Sequence, residues 1–333
     1  MDAYAVASPS LALTKYWGKL PEGINLPATP SVAVTLSELR SATAVRLCPG
    51  KEGDSVTING VPQRPEDFAL LLDALRERTE YDGAFEAQSV NNFPTAAGLA
   101  SSASGMAALA RACDAALGAG LPEEELSAIA RLGSGSASRS IFGGFVLLPA
   151  GADRAIPLLP KEHWPELRII AIALHSGRKP ISSRKAMNRT AETSPYYAAW
   201  VEDALELTNR AVEALKAKDL SNLGAAVRQS YLRMFSTMLS ASPPVIYWRP
   251  ESVALIHYLE ELRAEGVPIW ETMDAGPQVK VLLEEVSVEP FLRRLRDHFP
   301  DAEARVSAVG PGARAVELEE LTETERRALG GEA

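Results

Sequence analysis

Several residue types are scarce in this 333-residue chain, and each scarcity removes a class of protein. The two cysteines, Cys48 and Cys113, cannot supply a disulfide framework or a thiolate metal site. His163, His175, His257 and His298 are scattered without the spacing of metal ligands. Positive charge is also short: 34 Lys and Arg against 43 Asp and Glu leave a net charge of -9, which argues against a nucleic-acid partner. No apolar run approaches the roughly 18 residues of a membrane span. The start, Met1-Asp2-Ala3-Tyr4-Ala5-Val6, lacks the basic and apolar regions of a secretory signal, so a cytoplasmic, soluble protein is expected. There is no internal repeat and no low-complexity tract. What is plentiful is apolar content, 46%, enough at this length for two medium-sized cores and hence two domains.

The most informative stretch is Asn91-Asn92-Phe93-Pro94-Thr95-Ala96-Ala97-Gly98-Leu99-Ala100-Ser101-Ser102, which runs into an alanine-rich helical pattern over 103–117. Gly98 permits close backbone approach to a ligand, Ser101 and Ser102 carry hydroxyls, and the first turn of a helix offers free N–H groups and a positive dipole end. The loop has no Lys after its glycine and no G-x-G-x-x-G, so it is neither of the common nucleotide signatures. Read alone, it is equally an ordinary helix start with serine at its cap.

Four other segments carry candidate chemistry. Lys15-Tyr16-Trp17-Gly18-Lys19 sets aromatics between two cations, suited to gripping an anion or to an ordinary surface loop. Gly133-Ser134-Gly135-Ser136-Ala137-Ser138-Arg139-Ser140 is either flexible or a polar clamp; its arginine can pair bidentately with carboxylate or phosphate. The 175–185 segment, with Arg178, Lys179, Arg184 and Lys185, inverts the acidic balance locally and reads as an anion-gripping lid or a solvated loop. Asp274, before Ala275-Gly276-Pro277, sits where a strand turns, so its carboxylate either points into a cleft or simply makes the turn.

Together these strings resemble the small-molecule kinase superfamily of galactokinase, homoserine kinase, mevalonate kinase and phosphomevalonate kinase, in its diphosphomevalonate decarboxylase branch. The matching motifs are K-Y-W-G-K, N-N-F-P-T-A-A-G-L-A-S-S, G-S-G-S-A-S-R-S, S-S-R-x-x-M-x-R-T-x-E-T-S and T-M-D-A-G-P-x-V-K-V, in the family's order from Lys15 to about Gly312. The branch usually has Asn at Ser10 and often His at Phe235, so the match is looser there.

The resemblance implies an α+β, two-domain fold: an N-terminal sheet-and-helix domain over 1–175 with the phosphate loop, a ferredoxin-like C-terminal domain over 176–333, and the active site in the cleft between. It implies ATP with Mg2+ and the substrate mevalonate 5-diphosphate, giving isopentenyl diphosphate, carbon dioxide, ADP and phosphate. Asn92, Pro94, Ala97, Gly98, Leu99, Ala100, Ser101 and Ser102 would hold ATP, with Ser102 also at the metal and the chemistry. Tyr16, Lys19, Ser134, Ser136, Ser183 and Arg184 would bind the substrate, Arg139 its carboxylate, and Asp274 would act on its hydroxyl. The superfamily often dimerises, so a homodimer is expected. The alternatives are a mevalonate 5-phosphate decarboxylase, a mevalonate 3-kinase and, remotely, a catalytically dead ligand sensor.

Patterning further predicts strands over 4–7, 31–36, 42–47, 141–148 and 167–174. It predicts helices over 65–79, 103–117, 121–132, 200–217, 220–239, 252–264 and 288–299. A closing hairpin over 305–318, turning at Gly310-Pro311-Gly312, and a frayed charged tail from 322 complete the expectations.

Overall fold

The computed structural model describes residues 2–93, 101–174 and 181–330, and among them the strands form three sheets. The first has the order Arg314–Val316, Ala3–Ala7, Ser41–Pro49, Gly83–Asn91, Ser55–Ile58, Val61–Pro62, antiparallel except where Ser55–Ile58 runs parallel to Gly83–Asn91. Helix Ser101–Leu117 lies on it. Its inward positions include Ala107, Ala108, Ala110 and Ala112, whose short side chains let the helix settle close to Ala5, Val45 and Phe85.

The second sheet joins Ser10–Ala12, Ser31–Thr35, Phe145–Leu148 and Ile156–Leu159. The third has the order Trp270–Met273, Val279–Glu284, Leu167–Ala173, Glu303–Ala308. One face of the third sheet packs Ile170, Ile172, Val281 and Leu283 against Leu255, Leu259 and Phe291 of the helices Pro250–Ala264 and Glu285–His298. Its other face, through Leu167, Ile169 and Leu282, shares a core with Val32, Val34 and Phe145 of the second sheet. Leu215, Leu223 and Val227 of the antiparallel helices Tyr197–Ala217 and Leu220–Leu239 complete that core. Alternating side chains thus commit one strand to two cores, and this sharing ties the halves of the chain together.

Two expectations are corrected. The stretches expected to pair as a closing hairpin belong to different sheets: Glu303–Ala308 to the third and Arg314–Val316 to the first. The glycines between them serve a crossing, not a turn. Gly310 N–H donates to Thr35 O at 2.7 Å, and a Cβ on Gly143 would come within 2.7 Å of Gly312 N, so only glycine fits. The tail is also ordered through residue 330. Thr322 caps helix Glu323–Ala328, Leu321 and Leu329 bury against Val6, Ala42 and Val90, and Glu325 receives Arg40 Nε at 2.7 Å. Net charge along the tail concealed one apolar stripe and one buried acid.

Candidate active site

The Lys15–Lys19 segment of the N-terminal half is held in place by the C-terminal half. Lys15 N–H donates to Ser230 Oγ at 2.9 Å, the Trp17 indole to Thr190 Oγ1 at 2.9 Å, and the Trp200 indole to Trp17 O at 2.8 Å. With its backbone fixed from outside, the segment turns Lys15 inward, where the side chain is 2% exposed. Its Nζ donates to Ala12 O at 2.5 Å and to Asp274 Oδ1 at 3.0 Å.

Asp274 follows strand Trp270–Met273, and its second oxygen, Oδ2, meets Lys280 Nζ at 3.3 Å. The acid is 23% exposed while both lysines are 2% exposed, so the carboxylate is the accessible face of a buried charge cluster. Burial pushes the Lys15 ammonium down to about 8, although Asp274 works against that shift.

Arg139 lies on the short helix Ala137–Ser140 and is fully buried. Its Nη1 donates to Ser31 Oγ, while Nε has no partner among the described residues, a cost of about 1–3 kcal/mol for a buried donor unless a ligand supplies the acceptor. Burial lowers its pKa to about 10, opposed by the charges of Asp274 and Tyr16. Arg139, Tyr16, Asp274 and Lys15 therefore form one electrostatic unit, although they are distant in sequence.

Next to it lies a second, cation-lined subsite. Tyr16 donates to Asn25 O at 3.3 Å, and its ring crosses Gly135 so closely that a Cβ there would come within 2.4 Å of the hydroxyl. Lys19 donates to Asn25 Oδ1, and the Asn25 amide to Arg131 O at 3.1 Å and Leu132 O at 2.9 Å. Arg184 Nη2 reaches Gly133 O at 3.5 Å, and Ser134 Oγ and Ser136 Oγ are 3.2 Å apart. Ser183 opens helix Ser183–Thr193, whose positive end is capped by Ser182. Burial and the neighbouring Arg184 push the Lys19 ammonium down to about 8, and burial pushes the Tyr16 phenol up to about 12. A pocket that depresses its own lysine is short of negative charge.

On the far side, Ser101 and Ser102 begin helix Ser101–Leu117 beside a mostly apolar cleft of about 160 Å³. Val56, Ile58, Phe68, Ala87, Met106 and Leu109 contribute to its walls. Pro94, Ala97, Gly98, Leu99 and Ala100 lie outside the described residues, as do Arg178 and Lys179. The Asn92 side chain accepts from Arg40 N–H at 2.8 Å and donates to Glu38 O at 3.0 Å, which ties it to the adjacent turn. Ser10, where the family pattern has Asn, is buried and accepts from Ser140 Oγ at 3.2 Å.

Three groups escaped the sequence reading. Lys15 stood in a quoted motif without a role. Lys280 had a signal, a charge inside the apolar strand string Val279-Lys280-Val281-Leu282-Leu283, where only a paired ammonium is tolerable. The cleft had none, since its walls come from separate strands and a helix.

Comparison with known proteins places this geometry among relatives. The family profile described as diphosphomevalonate decarboxylase-like N-terminal domain matches residues 7–156, and that described as mevalonate 5-diphosphate decarboxylase C-terminal domain matches 169–328. A diphosphomevalonate decarboxylase of Ganoderma lucidum is 33% identical over 332 residues, covering 91% of this chain and 83% of that protein. The mevalonate diphosphate decarboxylase from Enterococcus faecalis superposes with a TM-score of 0.87 at 38% identity, covering 95% of this chain and 99% of the other. A solved structure described as a complex with MVAPP, AMPPCP and magnesium gives a TM-score of 0.88 at 38% identity, with the same coverage.

Proposed function

The chain belongs to the diphosphomevalonate decarboxylase family, and from that premise we propose how its residues divide the work. The protein is an ATP- and Mg2+-dependent decarboxylase that converts mevalonate 5-diphosphate to isopentenyl diphosphate, carbon dioxide, ADP and phosphate. The observation that carries the residue assignment is the partly open Asp274 carboxylate, braced by Lys15 and electrostatically coupled to the buried Arg139 guanidinium, whose Nε lacks an acceptor among the described residues.

Asp274 accepts a hydrogen bond from the substrate's tertiary hydroxyl and takes its proton as the γ-phosphoryl group of ATP is transferred. A carboxylate braced by cations is a weak base, so orientation is its larger contribution. Arg139 holds the substrate carboxylate, which supplies the acceptor its Nε lacks. When the tertiary phosphate departs, the carbon left behind becomes electron-poor, and the C–C bond to the carboxylate breaks to give the alkene and carbon dioxide. Tyr16, Lys19, Ser134, Ser136, Ser183 and Arg184 grip the diphosphate, so binding energy far from the reacting carbon fixes its position.

Ser101 and Ser102, with the loop before them, take the ATP phosphates, and the apolar cleft beside them takes the adenine ring. Ser102 offers magnesium a hard oxygen donor of the kind it prefers. When bound, the ion neutralises charge on the phosphate oxygens. We place the division between the domains ahead of strand Leu167–Ala173, whose partners are C-terminal, rather than at residue 175. No described helix is long and apolar enough to cross a membrane. A homodimer follows from the superfamily resemblance, and sedimentation of the purified protein tests it.

The test of function is turnover on two substrates, mevalonate 5-diphosphate and mevalonate 5-phosphate, with carbon dioxide, ADP and free phosphate measured together. Equal release of all three from the diphosphate is expected; a preference for the monophosphate, or ADP without carbon dioxide, overturns the reading. Asp274→Ala is expected to lower turnover by about a hundred- to ten-thousandfold while ATP still binds. Retained turnover would remove Asp274 from its role.

A further inference from the structure

Lys280 is the second residue of strand Val279–Glu284 and is 1% exposed. Its neighbours Val279 and Val281 pack into the core of the third sheet, and Leu282 into the core shared with the N-terminal half. An ammonium in such surroundings is costly unless it is paired, and nothing in the sheet's packing requires a lysine there. Its Nζ approaches Asp274 Oδ2 at 3.3 Å and Gln278 O at 3.4 Å. Lys15, from the other half of the chain, takes the remaining oxygen.

The charged groups described around this pair come from separate elements. Lys15 enters from the segment after strand Ser10–Ala12, and the charges of Arg139 and Lys280 both act on it. On the adjacent strand Trp270–Met273, the residue opposite Lys280 is Thr272, while Glu271 is taken up by Arg228, Arg263 and Tyr231. On the other neighbouring strand, Leu167–Ala173, the residue opposite is Ala171. Lys280 alternates with Val279 and Val281, so it lies on the face away from the helices Pro250–Ala264 and Glu285–His298 and toward helix Leu220–Leu239, whose Ser230 Oγ accepts from the Lys15 N–H.

We propose that Lys280 is a positioning residue: with Lys15 it brackets the Asp274 carboxylate, fixes its plane toward the cleft and keeps it ionised. The inference rests on the assignment of Asp274 to the substrate hydroxyl. One lysine would leave the carboxylate free to rotate about its pivot; two, one per oxygen, remove that freedom. Lysine is a point charge and not a planar fork, so each ammonium can meet one oxygen without spanning both.

Lys280→Met keeps the length and apolar fit and removes the charge, whereas Lys280→Arg keeps the charge. The methionine variant is expected to lower kcat by about ten- to a hundredfold, as when a group that orients a reacting side chain is lost. The acid limb of its kcat/KM profile is expected to move to higher pH, because a nearby cation favours the ionised carboxylate. The arginine variant is expected to recover most of kcat. In an Asp274→Asn enzyme, adding Lys280→Met is expected to change kcat no further.

Wild-type kcat with an unmoved acid limb in Lys280→Met overturns the proposal. So does an equal loss in both single variants accompanied by the same fall in unfolding midpoint, since that marks a purely structural lysine. The two levels separate cleanly: an active Asp274→Ala enzyme defeats the assignment of Asp274, while an inactive one beside a wild-type-like Lys280→Met enzyme defeats only the role of Lys280.

Discussion

Glu271 lies within strand Trp270–Met273 and Asp274 just after it, and both are surrounded by cations, yet they are built for opposite ends. Glu271 is 0% exposed and saturated: Arg228 Nε at 2.6 Å, Arg263 Nη1 at 2.8 Å and Tyr231 hydroxyl at 3.0 Å. Burial pushes its carboxyl up, but the two guanidiniums outweigh burial and hold it below the usual range. Asp274 has lysines in place of arginines and keeps 23% of its side chain open. Forked donors lock an acid into the framework; point charges stabilise one while leaving room for a ligand.

The comparison breaks most visibly at Glu271. Glu271→Ala leaves two arginines facing each other in the interior and is expected to cost about 3–5 kcal/mol of unfolding free energy in urea titration, with kcat of the folded enzyme unchanged. A loss of kcat without a loss of stability would place Glu271 in the chemistry and erase the distinction. Arg139→Gln is expected to act in the reverse sense. It removes a donor aimed at substrate, so kcat/KM for the diphosphate should fall by about a hundred- to a thousandfold while the unfolding midpoint holds or rises, because an incompletely paired buried cation is gone.

The pH profile sharpens the comparison further. Lys15 and Lys19 act as cations, and burial lowers both to about 8, so each loses its proton as pH rises through that value. The kcat/KM for substrate is therefore expected to be level between its acid limb and pH about 8 and to fall above it, by up to about a hundredfold per unit once both protons are lost, measured at constant ionic strength. Lys19→Met should weaken this alkaline limb and raise KM more than it lowers kcat. An unchanged limb in that variant would detach Lys19 from the diphosphate.

Much of the proposed site could be read before any coordinates. Tyr16, Lys19, Ser134, Ser136, Arg139, Arg184 and Asp274 sit in short strings whose residue types already state a preference for anions, and the structure gathers the first six around neighbouring subsites that border Asp274. Asn92 shows the limit of such strings. Its place beside the phosphate loop suggests a nucleotide contact, while the bonds of its amide with Glu38 and Arg40 are set by how the loop's base meets the adjacent turn. The stretch ending at Arg314–Val316 failed for a related reason: two strand-like segments around glycines look like a hairpin in one dimension, and only the sheets decide which partner each segment takes.

Residue order alone determined the helices with apolar stripes, the scarcity of cations outside a few loops, and the loops that could hold phosphate, since all of these follow from spacing along a few turns of chain. Tertiary structure decided that Lys15 and Lys280, from opposite halves, would meet on the two oxygens of one carboxylate, and that scattered apolar residues would wall a cleft beside Ser101. Such meetings depend on which core each strand face enters, and that choice is made by packing across the whole fold rather than by any local pattern.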